Sequence, residues 1–437
     1  MKYLFLVYLI LKTLTEDEDI YFVLNHFRHG IRSPLKLDEE NKDTFGNEWS
    51  NGPGELTLNG IRQHYLIGIT NKNKYKNLLN FDYKSKEILV YSTNLNRTIM
   101  SAQAQLSGMY NNIHYDFKLI KGENKLPYNL SNIYYDENFN YYPVPIHNYE
   151  ERRINNKIKM VKVMDYLWVQ RCKRNLEKRK KNMNNKTLTE NKVNYMLEKY
   201  YNNINKSTSI EENFQNIFIF CDAIISNYYE NRIIEEYKDN IEEVKKDCFD
   251  FESFKQIEIE QSYYAKDTGI YTMSLMIENI LNWMEYRVKY NTLNATSGFP
   301  KYVMYSGHDS TLIAMQRYLK DSLNINFNYT PFASSQYFEL KKNNNNNLFF
   351  VEIYYNNEKV YRDEFSEFEK KVKKILIPHL NVVYYCEGIN YDDKISIFLI
   401  CLFVFLFIVS VSLINLFMQK LKGIKNYNQG VIVGNSV

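Results

Sequence analysis

The chain has 437 residues, of which 45% are hydrophobic and 24% are charged, and its formal net charge is +4. This composition is typical of a globular protein with a hydrophobic core, and the length allows one large domain or two ordinary ones. Because the net charge is small and basic residues alternate with acidic ones, we expect no nucleic-acid partner.

The chain begins with a short apolar run. Met1 and Lys2 precede the apolar residues 3–11, and polar residues follow. A run of this length is too short to span a bilayer, so we interpret residues 1–15 as a secretory signal peptide.

A second apolar run lies near the other end of the chain. Residues 395–418 carry no charged side chain, and at about 1.5 Å per residue they can cross a hydrocarbon core of about 30 Å. Several lysines follow this run at once, so the positive-inside rule assigns residues 419–437 to the cytosol. The sequence therefore predicts a single-pass type I membrane protein whose main domain faces a lumen or the exterior.

Cysteines and glycosylation sequons agree with that topology. Cys401 lies inside the predicted span, and the other four cysteines could form two disulfides in an oxidising compartment. Those four are Cys172, Cys221, Cys248 and Cys386. Asn-X-Ser/Thr sequons begin at Asn129, Asn185, Asn205, Asn294 and Asn328. A further sequon, at Asn96, lies in one of the polar segments described next, and we expect it to stay unmodified.

Three predicted strands each end in a polar segment. Residues 21–27, 87–91 and 301–305 are rich in aromatic and β-branched residues and are interpreted as strands. Helices are predicted from an N-cap at Thr57 to about residue 78, and after the second and third strands to residues 110 and 319. Residues 336–341 and 348–355 alternate as two further strands, with the asparagine run 343–347 as their turn.

The stretch from about residue 120 to 290 differs in composition. It is rich in Lys, Glu, Asn, Tyr and Leu, and patterns over residues 160–181 and 270–288 predict long helices. We interpret it as a largely helical cap within a domain spanning residues 19–390, whose α/β core comprises residues 19–118 and 295–388. Strands alternating with helices predict an α/β fold with an open, doubly wound and mostly parallel sheet. In such a sheet the polar segments after the strands should meet at one edge.

Side chains in those segments suit phosphate chemistry. Arg28, Arg32 and Arg97 could each bind two oxygens of a tetrahedral oxyanion, and a bound phosphate would offset the cost of burying them. His29 could attack phosphorus as a neutral imidazole, and His308 adds another phosphate donor. Asp309, which we expect to be the only carboxylate beside these groups, could protonate the leaving alcohol, so activity should favour acidic pH.

These segments resemble the histidine acid phosphatase family, part of the larger branch of the histidine phosphatase superfamily. The RHGxRxP signature is met by residues 28–34, and residues 92–102 and 305–311 resemble the second arginine segment and the His-Asp segment. Similarity extends to residues 56–65, 142–147 and 336–355, while the cap departs most from the family. That departure puts the identity of the natural substrate in doubt.

The resemblance implies a nucleophile at His29, a proton donor at Asp309, and no metal or other cofactor. The implied phosphate ligands are Arg28, Arg32, Arg97 and His308. It also implies a Cys172–Cys386 disulfide, which leaves Cys221 and Cys248 as a second pair. The signal peptide with a single C-terminal span is similar to the arrangement of lysosomal members, so the membrane is expected to be lysosomal or vacuolar, or the cell surface.

The sequence thus predicts an acid phosphatase that hydrolyses small phosphate monoesters through a phosphohistidine. An inositol-phosphate or lysophospholipid phosphatase of the same fold is a narrower alternative. A non-catalytic anchored ectodomain that binds a phosphorylated ligand is another, and a replaced His29 or Asp309 would favour it, but both residues are present. A homodimer is also left open.

Overall fold

A computed structural model gives the fold of the chain. It describes residues 18–80, 82–111, 115–116, 138–139, 143–154, 157–162, 186–200, 202, 204–263, 266–296, 298–327, 329–377, 399, 401–414 and 416–418. The chain divides into two compact units, Met1–Pro378 and His379–Val437.

The first unit alternates strands and helices. In chain order its elements are β1 (Glu18–Arg28), α1 (Leu58–Lys74), β2 (Ile88–Ser92), α2 (Asn96–Met109), β3 (Tyr115–Asp116), β4 (Asn138–Phe139), β5 (Tyr149–Ile154), β6 (Lys157–Lys162), α3 (Lys186–Lys199), α4 (Ile210–Tyr229), α5 (Ile241–Tyr263), α6 (Lys266–Tyr290), β7 (Tyr302–Gly307), α7 (Asp309–Leu323), β8 (Ser335–Asn343), β9 (Phe349–Tyr355), β10 (Glu358–Glu364) and α8 (Phe365–Lys373). The predicted N-cap is confirmed, because Thr57 Oγ1 accepts a hydrogen bond from the Gly60 N–H at 3.1 Å.

The central sheet is mixed, and the prediction of a mostly parallel sheet was wrong. Its six strands lie in the order β10-β9-β8-β1-β7-β2. Only the β1–β7 and β7–β2 pairs are parallel, whereas β8, β9 and β10 run antiparallel to their neighbours. The turns that join β8, β9 and β10 are only a few residues long, and a turn of that length reverses the chain, whereas a parallel crossover needs a dozen residues or more. The α/β class itself is confirmed.

The three parallel strands end at one edge of the sheet. Strand β7 lies between the other two, and Arg28 at the end of β1 pairs in register with Gly307. On the opposite side, Ser92 at the end of β2 pairs with Ser306. The polar segments that follow these strands therefore begin side by side.

Alternate side chains of β1 contact different helices. Val23 and Phe27 belong to a buried cluster that includes side chains of α2, such as Leu106, and the Phe27 ring lies 5.0 Å from that of His64 on α1. Phe22, which precedes Val23 and points to the opposite face, contacts Trp283 on α6, with ring centroids 5.9 Å apart. Period-two alternation of a strand thus buries both faces of β1 under helices.

The cap is helical from Lys186 onward and has its own aromatic core. Helices α3 to α5 pack buried side chains such as Phe220, Phe251 and Tyr200 together. A disulfide between Cys221 and Cys248 joins α4 to α5, as the pairing left by the resemblance predicted. Cys172 and Cys386 lie outside the described residues.

The predicted helix over residues 160–181 was wrong at its start. Met160 lies in β6, which pairs antiparallel with β5, and residues 163–181 lie outside the described part of the chain. Lys157, Ile158, Lys159 and Met160 alternate polar and apolar, which favours a strand. The predicted helix over residues 270–288 is confirmed as part of α6.

The second unit contains one helix that is long and apolar enough to cross a membrane, α9 (Cys401–Met418). It falls within the predicted span 395–418. The predicted signal peptide, residues 1–15, and the tail, residues 419–437, lie outside the described residues, as do the sequons at Asn129, Asn185 and Asn328. Asn205 and Asn294 are exposed.

Candidate active site

The segment after β1 packs closely against the start of α1. A Cβ atom on Gly30 would lie 2.5 Å from the backbone oxygen of Gly60, so no larger residue fits there. The Gly30 N–H donates to Ser101 Oγ at 3.1 Å, and that hydroxyl donates to the backbone oxygen of Arg97 at 2.7 Å. The close packing of Gly30 against Gly60 fixes the position of the backbone that carries His29.

His29 is buried with one ring nitrogen engaged. Its Nδ1 lies 2.8 Å from the backbone oxygen of Gly30, and a carbonyl oxygen can only accept, so Nδ1 carries the proton. The Nε2 atom of the neutral ring therefore keeps its lone pair. Burial, together with His308 and the neighbouring arginines, holds the pKa of His29 well below its ordinary value.

Arg28 is tied to three groups at the edge of the sheet. Its Nη1 donates to the backbone oxygen of Thr330 at 2.7 Å, and its Nη2 lies 3.3 Å from an Asp309 carboxylate oxygen. The Phe332 ring lies under the guanidinium, with the Arg28 Cζ 4.0 Å from the ring centroid. These contacts hold the charge of Arg28 next to His29.

Arg32 has a carboxylate partner that the sequence did not reveal. Its Nη1 and Nη2 donate to the two oxygens of Asp222 at 3.0 and 2.7 Å, and both side chains are nearly fully buried. The expectation that Asp309 is the only carboxylate beside these groups was therefore wrong. Asp222 lies on α4 in the cap, 190 residues further along the chain, where no local pattern marks it.

Arg97 has the fewest partners of the three arginines. Its Nη1 lies 3.5 Å from the backbone oxygen of Gly54, and its buried Nε has no hydrogen-bond partner among the described residues. Burial, with the charge of Arg32 acting in the same direction, lowers the pKa of Arg97 to about 10. A cation left without a carboxylate partner at the first turn of a helix is well suited to bind an anion.

His308 donates into a chain of threonine hydroxyls. Thr98 Oγ1 lies 2.8 Å from the backbone oxygen of Leu95, which can only accept its hydrogen. Thr98 must then accept from Thr93 Oγ1 at 2.8 Å, and Thr93 must accept from His308 Nε2 at 3.0 Å. Burial and Arg97 lower the pKa of His308 to about 3, so the ring is neutral with its proton on Nε2.

Asp309 is the first residue of α7 and stands between Arg28 and the N-terminus of that helix. Burial raises the pKa of Asp309, but the charge of Arg28, followed by that of Lys255, outweighs burial and brings its pKa below the ordinary value. The Ser310 N–H also donates to the carboxylate at 2.7 Å. The carboxyl group is therefore ionised in the free site.

The six residues predicted from the sequence come together at the carboxyl edge of the sheet. The rings of His29 and His308 lie 5.5 Å apart, and the charges of Arg28, Arg32 and Arg97 all act on His29. Sequence reasoning missed Asp222, Thr93 and Phe332. Of these, only Thr93 carried a signal, because it lies in the polar segment after the predicted strand 87–91.

Comparison with known proteins identifies the family of this chain. Residues 9–356 match the family model described as histidine phosphatase superfamily (branch 2). Human lysosomal acid phosphatase is 26% identical over 359 residues, which cover 80% of this chain and 74% of that protein. Bovine prostatic acid phosphatase is 24% identical over 363 residues, which cover 79% of each.

Solved structures share the fold at low identity. A phytase from Klebsiella sp. ASR1 superposes with a TM-score of 0.54 at 12% identity, covering 84% of this chain and 99% of that one. A phytase from D. castellii gives 0.53 at 12% identity, covering 85% and 82%. The family model spans most of the chain, and the chain therefore belongs to the histidine phosphatase superfamily, branch 2.

Proposed function

We propose that the chain is an acid phosphatase that hydrolyses phosphate monoesters through a phosphohistidine on His29. The observation that carries the proposal is the free Nε2 lone pair of His29, held among three arginines by the hydrogen bond from Nδ1 to Gly30. The family and its relatives, which include lysosomal and prostatic acid phosphatases, support the same activity.

The reaction has two steps. In the first, His29 Nε2 attacks phosphorus, the bond from phosphorus to the ester oxygen breaks, and Asp309 gives its proton to the departing alkoxide. In the second, Asp309 takes a proton from a water molecule that attacks phosphorus, and the P–N bond breaks. Arg28, Arg32, Arg97 and His308 are the phosphate ligands in this proposal. In the free site the single N–H of neutral His308 is donated to Thr93, so His308 binds phosphate as the imidazolium, which forms when the negative charge of the substrate raises its pKa and which has a second N–H to donate.

Asp309 must be protonated to act first as an acid. Its pKa is low in the free site because Arg28 stabilises the carboxylate. A bound phosphate ester brings negative charge to the same arginine, which weakens that stabilisation and raises the pKa. Protonation is further favoured as the pH falls, so the proposal predicts an acidic optimum.

The experiment uses the full-length chain purified in detergent. We expect it to hydrolyse p-nitrophenyl phosphate at roughly pH 5 faster than at pH 7, since the proton donor is a carboxylic acid. Alkaline quenching during turnover with a radiolabelled substrate should trap a protein-bound phosphoryl group that is stable in base and is released on later acidification, as for a phosphohistidine. Turnover without a trapped intermediate after the alkaline quench would contradict the mechanism.

A substrate panel tests the narrower alternatives. The phytases among the solved structures are 12% identical and share the fold alone, so they carry no argument for inositol phosphates. Relative kcat/KM values for aryl, alkyl, inositol and lysophospholipid phosphates would rank the classes. Phosphate binding without turnover of any of them would support the non-catalytic ectodomain.

We also propose a type I topology, a doubly wound α/β core with a helical cap, and residence in a lysosomal or vacuolar membrane or at the cell surface. The apolar helix Cys401–Met418 and the lysosomal relatives support the anchor and the compartment. Glycosidase treatment should lower the mass of the protein if Asn205 or Asn294 carries a glycan. In sealed vesicles that keep the lumenal side inside, the domain should be protected from added protease. Mass photometry in detergent would test a homodimer.

A further inference from the structure

One cap residue reaches the phosphate-binding arginines directly. Asp222 on α4 accepts two hydrogen bonds from Arg32, and its Oδ2 also accepts the Leu35 N–H at 2.7 Å. Both charged side chains are buried, at 6% and 7% exposure. Asp222 thus fixes both the guanidinium of Arg32 and the backbone at Leu35 in one arrangement.

The ion pair between Arg32 and Asp222 is end-on, and this geometry determines which N–H donors of Arg32 remain available to a ligand. Arg32 has five N–H donors, and Asp222 takes one from each terminal nitrogen. The second hydrogen of Nη1 goes to the backbone oxygen of Ser33 at 2.9 Å. No described residue accepts from Nε or from the second hydrogen of Nη2. These two donors are adjacent on one edge of the fork, in the spacing that binds two oxygens of a phosphate.

The helix that carries Asp222 is itself held firmly in the cap. The preceding residue, Cys221, forms the disulfide with Cys248 on α5. One turn further along, Asn227 donates to Asp43 at 2.6 Å, which joins α4 to the loop after Arg32. The cap therefore supports the orientation of an arginine that belongs to the core.

We propose that Asp222 is a positioning residue that turns the free edge of Arg32 toward the substrate phosphate, so that the cap completes the phosphate site. The inference rests on the proposed function, in which Arg32 is a phosphate ligand. A carboxylate that only stabilised the fold would affect unfolding but would leave phosphate affinity unchanged in the folded protein.

The first test is Asp222→Asn in the full-length chain. The amide keeps the shape of the side chain but turns an N–H toward the donors of Arg32, so the fork loses its fixed orientation. We expect KM for p-nitrophenyl phosphate and Ki for inorganic phosphate to rise about 10- to 100-fold, with kcat changed much less. Asp222→Glu, which restores the charge, should recover part of the affinity and serves as the test if Asp222→Asn does not fold.

Asp247→Asn is the matched control. Asp247 is a similarly buried cap carboxylate, and it pairs with Lys199 at 2.7 Å and Tyr200 at 2.7 Å. Its replacement should lower thermal stability but change KM and Ki less than twofold. If Asp222→Asn and Asp247→Asn change Ki alike, or if neither changes it, the positioning role is wrong.

A double-mutant cycle identifies Arg32 as the intermediary. Arg32→Lys keeps the charge but lacks the fork, so adding Asp222→Asn to it should change Ki less than threefold. Multiplicative effects of the two substitutions would overturn the proposal. Phosphate-induced stabilisation against heat measures the same affinities without turnover. If the wild type binds phosphate without hydrolysing esters, the proposed function is wrong, but the phosphate affinities of the variants still test the positioning role of Asp222.

Discussion

The Nδ1 atom of His29 lies 2.8 Å from the backbone oxygen of Gly30, and this contact selects the ring tautomer. With its proton on Nδ1, the ring presents an unprotonated Nε2 to the site. Burial and the surrounding cations keep the ring neutral across the acidic range, because they lower its pKa well below the ordinary value. A nucleophile that stays unprotonated in acid is what an acid phosphatase requires.

The first prediction concerns this nucleophile. His29→Ala should lower kcat/KM for p-nitrophenyl phosphate on the order of 10³-fold or more, because no other group can form the covalent intermediate. Steady-state kinetics and the alkaline quench described above measure both consequences. His147→Ala, at an exposed histidine near the end of β2, should retain wild-type turnover and labelling. Unchanged turnover in His29→Ala would exclude the phosphohistidine.

The second prediction concerns the proton donor. Asp309→Asn cannot protonate the leaving group, so hydrolysis of alkyl phosphates should fall about 10²- to 10⁴-fold. p-Nitrophenyl phosphate should suffer less, because nitrophenolate leaves without full protonation. The fall in activity as the pH rises should also flatten, because that fall reports deprotonation of the Asp309 carboxylic acid. Kinetics with both substrates across pH 4 to 8 provide the measurement.

Asp321→Asn is its control on the same helix. Asp321 pairs with Arg317 at 3.0 Å, about three turns further along α7 from Asp309. Its replacement should leave the ratio of alkyl to aryl turnover unchanged. An equal loss for both substrates in Asp309→Asn would instead indicate that the carboxylate only orients Arg28.

The third prediction concerns the hydroxyl chain behind His308. Thr93→Val removes the acceptor of the His308 Nε2 proton and leaves that buried donor without a partner. We expect kcat/KM to fall about 10-fold and the ring to reorient, which an NMR titration of the histidine signals would detect. Thr70→Val removes an exposed hydroxyl that donates to Leu66, and it should change neither readout. Unaltered kinetics in Thr93→Val would show that His308 is held by other contacts.

The sequence patterns of single strands predicted the part of the site that lies in the polar segments directly after those strands. The strand residues before Arg28 and Ser306 are aromatic and β-branched, and each polar segment adjoins its strand, so their convergence followed from the rule for parallel strands. The mixed sheet was not predictable in the same way. Strand β10 was missed, and its antiparallel pairing depends on short turns that give no signal in the periodicity of β8 and β9.

The partner of Arg32 shows why the rest of the site lay beyond sequence reasoning. Asp222 belongs to a helix whose pattern indicates only burial, and its role depends on how the cap docks against the core. Phe332 is a similar case. It reaches Arg28 from the loop before β8, where Ala333 adopts a left-handed conformation with φ of 61°. Such long-range contacts follow from packing, which pattern analysis does not address.

The last prediction concerns stability in acid and a histidine outside the site. His26 on β1 is fully buried, neither ring nitrogen has a hydrogen-bond partner among the described residues, and burial lowers its pKa to about 3. Its pKa in the unfolded chain is about 6.5. Between these values the unfolded state binds a proton that the folded state does not, so stability falls as the pH drops from about 6.5 toward 3.

Replacing His26 with leucine should remove this loss of stability at acidic pH. Titration of His26 lowers the free energy of unfolding by about 2 kcal/mol between pH 7 and pH 5. The variant His26→Leu should therefore reduce the difference in unfolding free energy between the two pH values by that amount. Urea unfolding of the full-length chain in detergent at both pH values measures the difference. His147→Leu, at the exposed histidine, serves as the control and should leave the dependence unchanged. Equal pH dependence in His26→Leu and wild type would mean that His26 titrates with the same pKa in the folded and the unfolded protein, since only equal proton binding in the two states makes no contribution to the slope.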